Sequence, residues 1–224
     1  MGSQTKLKVK VIFMLITFFA IIFAGIFMPA QTIRYGSGWL YFSIFTIMTI
    51  FITCYLISIN TGLIERRIKP EKEKIQKIIQ ALNGLLFVAL LVIPGLDFNH
   101  HWSNVPYWFQ ITSNGFVFLG FLIVFVVFKQ NTYLANNIAT YTGQTVITTG
   151  IYSWVRHPMY SGAYLIILFT STALGSFYGL VPALAISILI IIRALDEEKV
   201  LARDLKGYQP YLEKVHYRFI PFII

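Results

Sequence analysis

The sequence predicts an all-α integral membrane protein with about six membrane crossings, four spans followed by a C-terminal helical hairpin, and a polar C-terminal region on the cytoplasmic side. Three observations carry that expectation. Hydrophobic residues make up 57% of the 224-residue chain, and aromatics alone 17%. Charged residues are only 12%, against about 25% in soluble proteins; a chain this short cannot bury so much apolar surface in one water-soluble core. The net charge is +9, and the positive residues fall between and outside the apolar runs. There they set topology or meet anionic lipid, so no nucleic-acid partner is expected. One cysteine, Cys54, excludes an intramolecular disulfide and any multi-cysteine metal site.

The first span is predicted over 11–29, after the basic head Lys6, Lys8 and Lys10. A basic start before an apolar stretch also describes a secretory signal. This run is long enough to cross about 30 Å of hydrocarbon, and no small-x-small cleavage site follows, so it reads as a retained span. The second span is predicted over 39–59, the third over about 78–96 and the fourth over about 108–128, completing an N-terminal region 1–128. Between the second and third lies the charged connector 65–77, ERRIKPEKEKIQK, in which Pro70 breaks any helix. The spans so bounded carry no Asp or Glu, which argues against a transporter with a midplane ion site. Their polar residues, Asn83 in the third and Gln110, Thr112, Ser113 and Asn114 in the fourth, must face protein or a cavity. Interhelical hydrogen bonding is the ordinary role and lining a tunnel the other. His100 and His101 are adjacent in the predicted outer loop without a third ligand nearby, so they read as an interfacial loop and no metal is expected.

A second region, 129–224, opens with a polar, span-free connector over 129–161. The apolar stretch 162–192 is too long for one straight span, and Gly175-Ser176-Phe177-Tyr178-Gly179, with Pro182 just beyond, signals a turn in its middle. Two short helices forming a hairpin result, followed by the tail 193–224. With the N-terminus cytoplasmic and six crossings, every Lys and Arg except Arg34 lies inside; one crossing fewer would put the tail outside.

Two clusters in this region can carry chemistry. The helix over about 184–205 leaves the apolar stretch near Arg193, which is four residues from Glu197 and able to pair with it. Asp196, Glu197 and Glu198 follow one another; they are either a solvated helix end or carboxylates facing a cationic ligand at the membrane surface. Gly207 then ends the helix, and Pro210 suits the first turn of another, whose apolar face of Tyr211, Leu212 and Val215 could lie along the bilayer surface. In the connector, Gly150 permits a tight turn, and Pro158 biases His157 away from helix. The Arg156-His157 pair therefore sits at a constrained bend beside Tyr152, Trp154 and Tyr160. A snorkelling arginine in an aromatic belt and a working site are both compatible with that pattern.

The stretch TTGIYSWVRHPMYSG, followed after the hairpin by RALDEEKVLARDLKGYQPYLEKVHYRFIP, resembles the isoprenylcysteine carboxyl methyltransferase family and the related phospholipid N-methyltransferases. Thr148 or Thr149, Gly150, Tyr152, Arg156, His157, Pro158, Tyr160 and Gly162 match the family's first block. Arg193, Glu197, Glu198, Leu201, Tyr208, Tyr211, Arg218 and Pro221 match its second, and the resemblance covers about 129–222. It implies a membrane methyltransferase using S-adenosyl-L-methionine in a cytoplasm-facing pocket of the C-terminal region, with a lipophilic acceptor entering from the bilayer. By the same resemblance His157, Tyr160 and Glu198 bind the cofactor, with Tyr152, Tyr208 and Tyr211 supplying aromatic faces. Arg156 and Glu197 are then the catalytic candidates, forming an ion pair that positions the acceptor; which glutamate takes which role stays open.

A carboxylate is the family's name-giving acceptor, and methylating it needs no general base, whereas a protonated amine would need one. A phospholipid or amine N-methyltransferase is therefore the nearest alternative. NADPH-dependent sterol reductases share a similar R-H-P block. They usually have Asn where Met159 stands, and Ser161, Gly162 and Ala163 follow Tyr160 without their Asp. A non-catalytic membrane scaffold would have lost motif residues, and none named above is missing.

Overall fold

The computed structural model describes residues 3–59, 61–68, 70–71, 73–138, 140–141 and 143–221. Lys69 and Lys72 of the charged connector, and both chain ends, lie outside the described residues. Among those described there are eight α-helices and no strand.

Four helices are long and apolar enough to cross a membrane: α1 (Ser3–Ala30), α2 (Gly36–Ile59), α4 (Lys74–His100) and α5 (Tyr107–Gln130). Each contains its predicted span and overruns it, because a formed helix gains one hydrogen bond per added residue and continues into polar flanks. The connector holds a short helix, α3 (Thr61–Ile68), which stops short of Pro70. The hairpin also begins earlier than predicted. α6 (Pro158–Ala173) has Pro158 at its first position, where the missing N–H costs no hydrogen bond. Its second arm, α7 (Leu180–Asp204), has 25 residues and is about 37 Å long, so only one arm of the hairpin is short. The predicted turn lies between them, with Gly175 at φ 80°.

α8 (Tyr208–Lys214) follows Gly207 at φ 89°. Its apolar side faces protein, not the bilayer surface: Tyr208, Tyr211 and Val215 are buried against Val146, Leu201 and Leu205. Those α7 and connector side chains offer apolar area that a surface-lying helix would leave exposed.

The most extensive packing is between α5 and α6, followed by α1 with α4, α4 with α7 and α2 with α5. The α5–α6 contact is a backbone contact. A Cβ on Gly120 would lie 2.7 Å from the Gly162 carbonyl oxygen, and one on Gly162 would lie 2.7 Å from that of Gly120. In an apolar medium helices associate through such close packing, since lipid tails offer no hydrophobic incentive.

The expectation that the spans lack acidic residues fails at the end of α4. The helix runs past 96 and carries Asp97, 1% exposed. The carboxylate is tolerated because it is fully hydrogen-bonded. It accepts from the Ser103 amide (2.6 Å), the Ser103 hydroxyl (2.6 Å) and the Ser176 hydroxyl, tying α4 to the α6–α7 turn. Tyr35 donates to the Leu174 carbonyl and Ser37 to the Gln110 side chain at the same end. Most of the polar residues of α5 make hydrogen bonds in this region. Asn114 donates to the Ala173 carbonyl (3.1 Å) and Thr172 to Ser113 (2.8 Å), whereas Thr112 bonds only its own helix.

The glycine contact gives a direct test. Gly120→Leu places a side chain against backbone that cannot retreat, and is expected to destabilise the detergent-solubilised protein by at least the 1–3 kcal/mol of an overpacked core, read as a lowered thermal midpoint. Gly115→Leu in the same helix, where the added Cβ meets nothing within 4 Å, is the control. Equal midpoints for the two variants would contradict the backbone contact.

Candidate active site

The bend before α6 is built from local constraints. Gly150 sits at φ 60°, where a Cβ would meet the Gln130 side-chain nitrogen at 2.3 Å. Gln130 accepts from the Ile151 amide (3.2 Å) and so anchors a 3-10 turn over Gly150–Ser153. Beyond it the chain tail lies across the Arg156–Ser161 segment like a strap. The Arg156 amide donates to the Tyr217 carbonyl (2.9 Å), the His157 amide to that of Arg218 (2.8 Å), and the Ser161 hydroxyl to that of Phe219 (2.5 Å).

Three consecutive carboxylates on α7 point in three directions, as residues 100° apart on a helix must. Asp196 accepts from Gln76 (3.0 Å) and pairs with Lys199 (3.0 Å). Glu197 accepts from the Tyr160 hydroxyl (2.8 Å). Glu198 meets Arg156 and His157 at 3.2 Å through one oxygen and Arg218 at 3.0 Å through the other. The solvated-helix-end reading is therefore wrong for Glu198, which is buried with Arg156; their side chains are 10% and 9% exposed. Burial alone would raise the Glu198 carboxyl, but the hydrogen bond and charge of His157, then Arg218 and Arg156, outweigh it and hold the group below the usual carboxylate range.

Two anticipated pairings, one implied by the resemblance and one read from spacing, are replaced. Arg156 pairs with Glu198, not Glu197, and its second nitrogen donates to the His216 carbonyl (3.1 Å). Arg193 makes no ion pair with Glu197 and instead donates to Gln76 (3.0 Å) and the Asn136 carbonyl (2.6 Å), with Glu71 at 3.6 Å. For Arg193, burial favours partners that bring further hydrogen bonds to the guanidinium over the nearest one on its helix face; for Arg156, α7 turns Glu198 and not Glu197 toward the bend.

These elements enclose a cavity of about 640 Å³. Tyr152, Arg156, His157, Tyr160, Glu197, Tyr208 and Tyr211 all line it, whereas Glu198 stands behind the wall and holds Arg156 and His157 in place. Tyr211 donates to the Tyr152 carbonyl (2.8 Å), and the Tyr152 hydroxyl accepts from Asn131 (2.9 Å). The Arg156 Nε and the Tyr208 hydroxyl are buried without a protein partner. Sequence reasoning missed Arg67, Gln80, Asn131 and Arg193 as cavity residues and left Asn83 between two roles. The only available signal was that Arg67 and Asn83 are polar residues close to or within apolar runs.

A sequence profile described as the isoprenylcysteine carboxyl methyltransferase (ICMT) family matches residues 111–203. A curated relative, the mouse Delta(14)-sterol reductase TM7SF2, is 31% identical over 90 residues, which cover 38% of this chain and 21% of that protein. The chain thus spans about a fifth of the length of the curated relative it matches.

Glu198→Gln leaves the buried Arg156 guanidinium, and the partly exposed one of Arg218, without their carboxylate, and is expected to cost about 3 kcal/mol of stability. The folded pKa lies below the ordinary one, so this contribution is complete above the ordinary carboxyl pKa and is lost as pH falls through the lowered folded value. The gap between the thermal midpoints of wild type and variant should therefore be widest near neutrality and close in acid. A gap that is absent or independent of pH would contradict the clamp.

Proposed function

We propose that this integral membrane protein transfers a methyl group from S-adenosyl-L-methionine to a lipophilic acceptor, a reading supported by the match of residues 111–203 to the isoprenylcysteine carboxyl methyltransferase family. The acceptor is taken as a carboxylate, as in isoprenylcysteine O-methylation. The single observation that carries the reading is the cavity. It gathers every candidate residue from two distant blocks except Glu198, and two of its polar atoms, on Arg156 and Tyr208, lack protein partners.

Its volume of about 640 Å³ suits a nucleoside-sized ligand. Tyr152, Tyr208 and Tyr211 offer aromatic faces to a cation, and His157 and Tyr160 lie on the same wall. S-adenosyl-L-methionine supplies a methyl group activated by a positive sulfur. The protein's own contribution is alignment and exclusion of water. Glu198 fixes the Arg156 and His157 side chains, and Glu197 fixes Tyr160 through its hydroxyl. Val124, Ala163, Ile166 and Ile190 give the cavity an apolar side among the helices, which fits a lipid tail entering from the bilayer. A carboxylate acceptor needs no base. For an amine acceptor, the N-methyltransferase alternative, Glu197 is the carboxylate on the cavity wall that could take the proton. Six crossings with both termini and the cavity on the cytoplasmic side complete the reading, since they keep nearly all Lys and Arg inside.

Similarity to the sterol reductase favours a second reading, a reductase using NADPH on a lipophilic double bond. One binding experiment separates the two. Purified protein in detergent is expected to bind radiolabelled S-adenosyl-L-methionine saturably, in competition with S-adenosylhomocysteine, and His157→Ala should weaken binding at least about tenfold. Saturable NADPH binding without S-adenosyl-L-methionine binding would move the assignment to the reductase.

A further inference from the structure

Three guanidinium groups line the cavity, and two are held by protein partners: Arg156 by Glu198 and the His216 carbonyl, with its Nε alone unpartnered, and Arg193 by Gln76, Glu71 and the Asn136 carbonyl. The third, Arg67, comes from α3, in the region of the chain outside the family match. Among the described residues it makes no ion pair and no hydrogen bond through its side chain. Its guanidinium carbon lies 5.3 Å above the Phe128 ring. Stacking occupies one face of the guanidinium and leaves the edge, with its fork of N–H donors, free for a planar anion. Protein surrounds the Arg67 side chain, yet it remains accessible, as a residue on the wall of an open cavity must. Glu197 on the same wall interacts with this charge without forming an ion pair with it, so the fork of N–H donors stays open to an anionic ligand.

Asn83 of α4 lines the same cavity, and its side-chain oxygen is buried without a partner. A buried amide in that state costs about 1–3 kcal/mol until something bonds it. Either end of the amide can face the cavity, so it can donate to an anion as well as accept. Apolar Val124, Ile166 and Ile190 line the cavity as well. A cation, a polar amide without a partner and an apolar wall are what an amphiphile with an anionic head requires.

We infer that Arg67, with Asn83, holds the anionic group of the methyl acceptor, and that Arg156 is a positioning residue of the wall. The inference rests on the methyltransferase reading. A carboxylate oxygen held there uses its own electron pair to form the O–CH₃ bond as the S–CH₃ bond breaks. The electrons of that bond stay on sulfur, the positive sulfur becomes a neutral thioether, and no proton moves. The ester has lost the charge that Arg67 held, so the grip weakens once the methyl has arrived and product can leave.

The test uses the full chain in lipid nanodiscs loaded with S-adenosylhomocysteine, and measures binding of 3-(farnesylthio)propionate and of its primary carboxamide, which share a tail and differ in headgroup charge. Wild type is expected to prefer the carboxylate at least about tenfold, the discrimination of one charge-assisted bidentate contact. Arg67→Gln should abolish that preference, Arg67→Lys should restore some of it, and both should bind S-adenosylhomocysteine as wild type does. Equal binding of the two amphiphiles by wild type, failure to bind either, or a preference that survives Arg67→Gln would overturn the inference while S-adenosylhomocysteine still binds. Loss of S-adenosylhomocysteine binding in wild type itself would instead remove the methyltransferase reading and the inference with it.

Discussion

The Glu198 carboxylate draws together three stretches that are far apart in sequence: the bend at Arg156 and His157, the α7 helix that carries it, and the strap at Arg218. Buried charges are costly unless paired and hydrogen-bonded, so the arrangement is close to all-or-none. With the carboxylate in place, two guanidinium groups and an imidazole have a partner and the strap closes over the bend. Without it, the buried Arg156 guanidinium is an uncompensated charge under a loose tail. The cavity wall is therefore a product of one side chain that does not itself line the cavity.

Arg193, which precedes Glu198 on α7 by little more than a helical turn, has the complementary role. It joins Gln76 and Glu71 at the start of α4 to the Asn136 carbonyl of the connector. Together the two hubs let a span-free, polar connector stand as a wall although it contains little regular structure. The other end of the bundle is fastened differently, by hydroxyl and amide hydrogen bonds around Asp97. Asp97 and the cavity-lining Gln80 lie on the same helix, about 25 Å apart along its axis. Close backbone packing at Gly120 and Gly162 holds the intervening helices, so each end is braced by its own network.

How much of this was legible in the sequence depended on range. The turn at 175–179 follows a local rule of backbone conformation and appears where that rule places it, whereas α6 starts at Pro158, ahead of the predicted hairpin, and α7 ends at Asp204, short of Gly207. Of the residues of the cavity wall, the family resemblance named ten from its two blocks, and the others come mostly from the connector and the N-terminal helices. Partnerships were not legible. Arg193 and Glu197 satisfy the i,i+4 rule, yet burial directs Arg193 to residues more than a hundred positions away. Arg156 likewise takes the neighbouring glutamate because α7 turns that one inward. Asp97 was hidden by its position one residue beyond an apolar run, and Arg67 by a charged connector in which it looked like a topology signal. A hydrophobic pattern tells which face of a helix is covered; it does not tell what long-range polar group covers it.

The central claim is that Glu198 holds the bend and the strap together as one unit, and amide hydrogen exchange reads it most directly. The amides of Arg156 and His157 are bonded to the carbonyls of Tyr217 and Arg218, so their protection reports whether the strap is closed. In the Glu198→Gln variant both should lose protection together, at a pH where the folded protein persists, while the amides of α5 exchange as in wild type. Unchanged protection at Arg156 and His157 would show that the strap closes without the carboxylate, and would contradict the account.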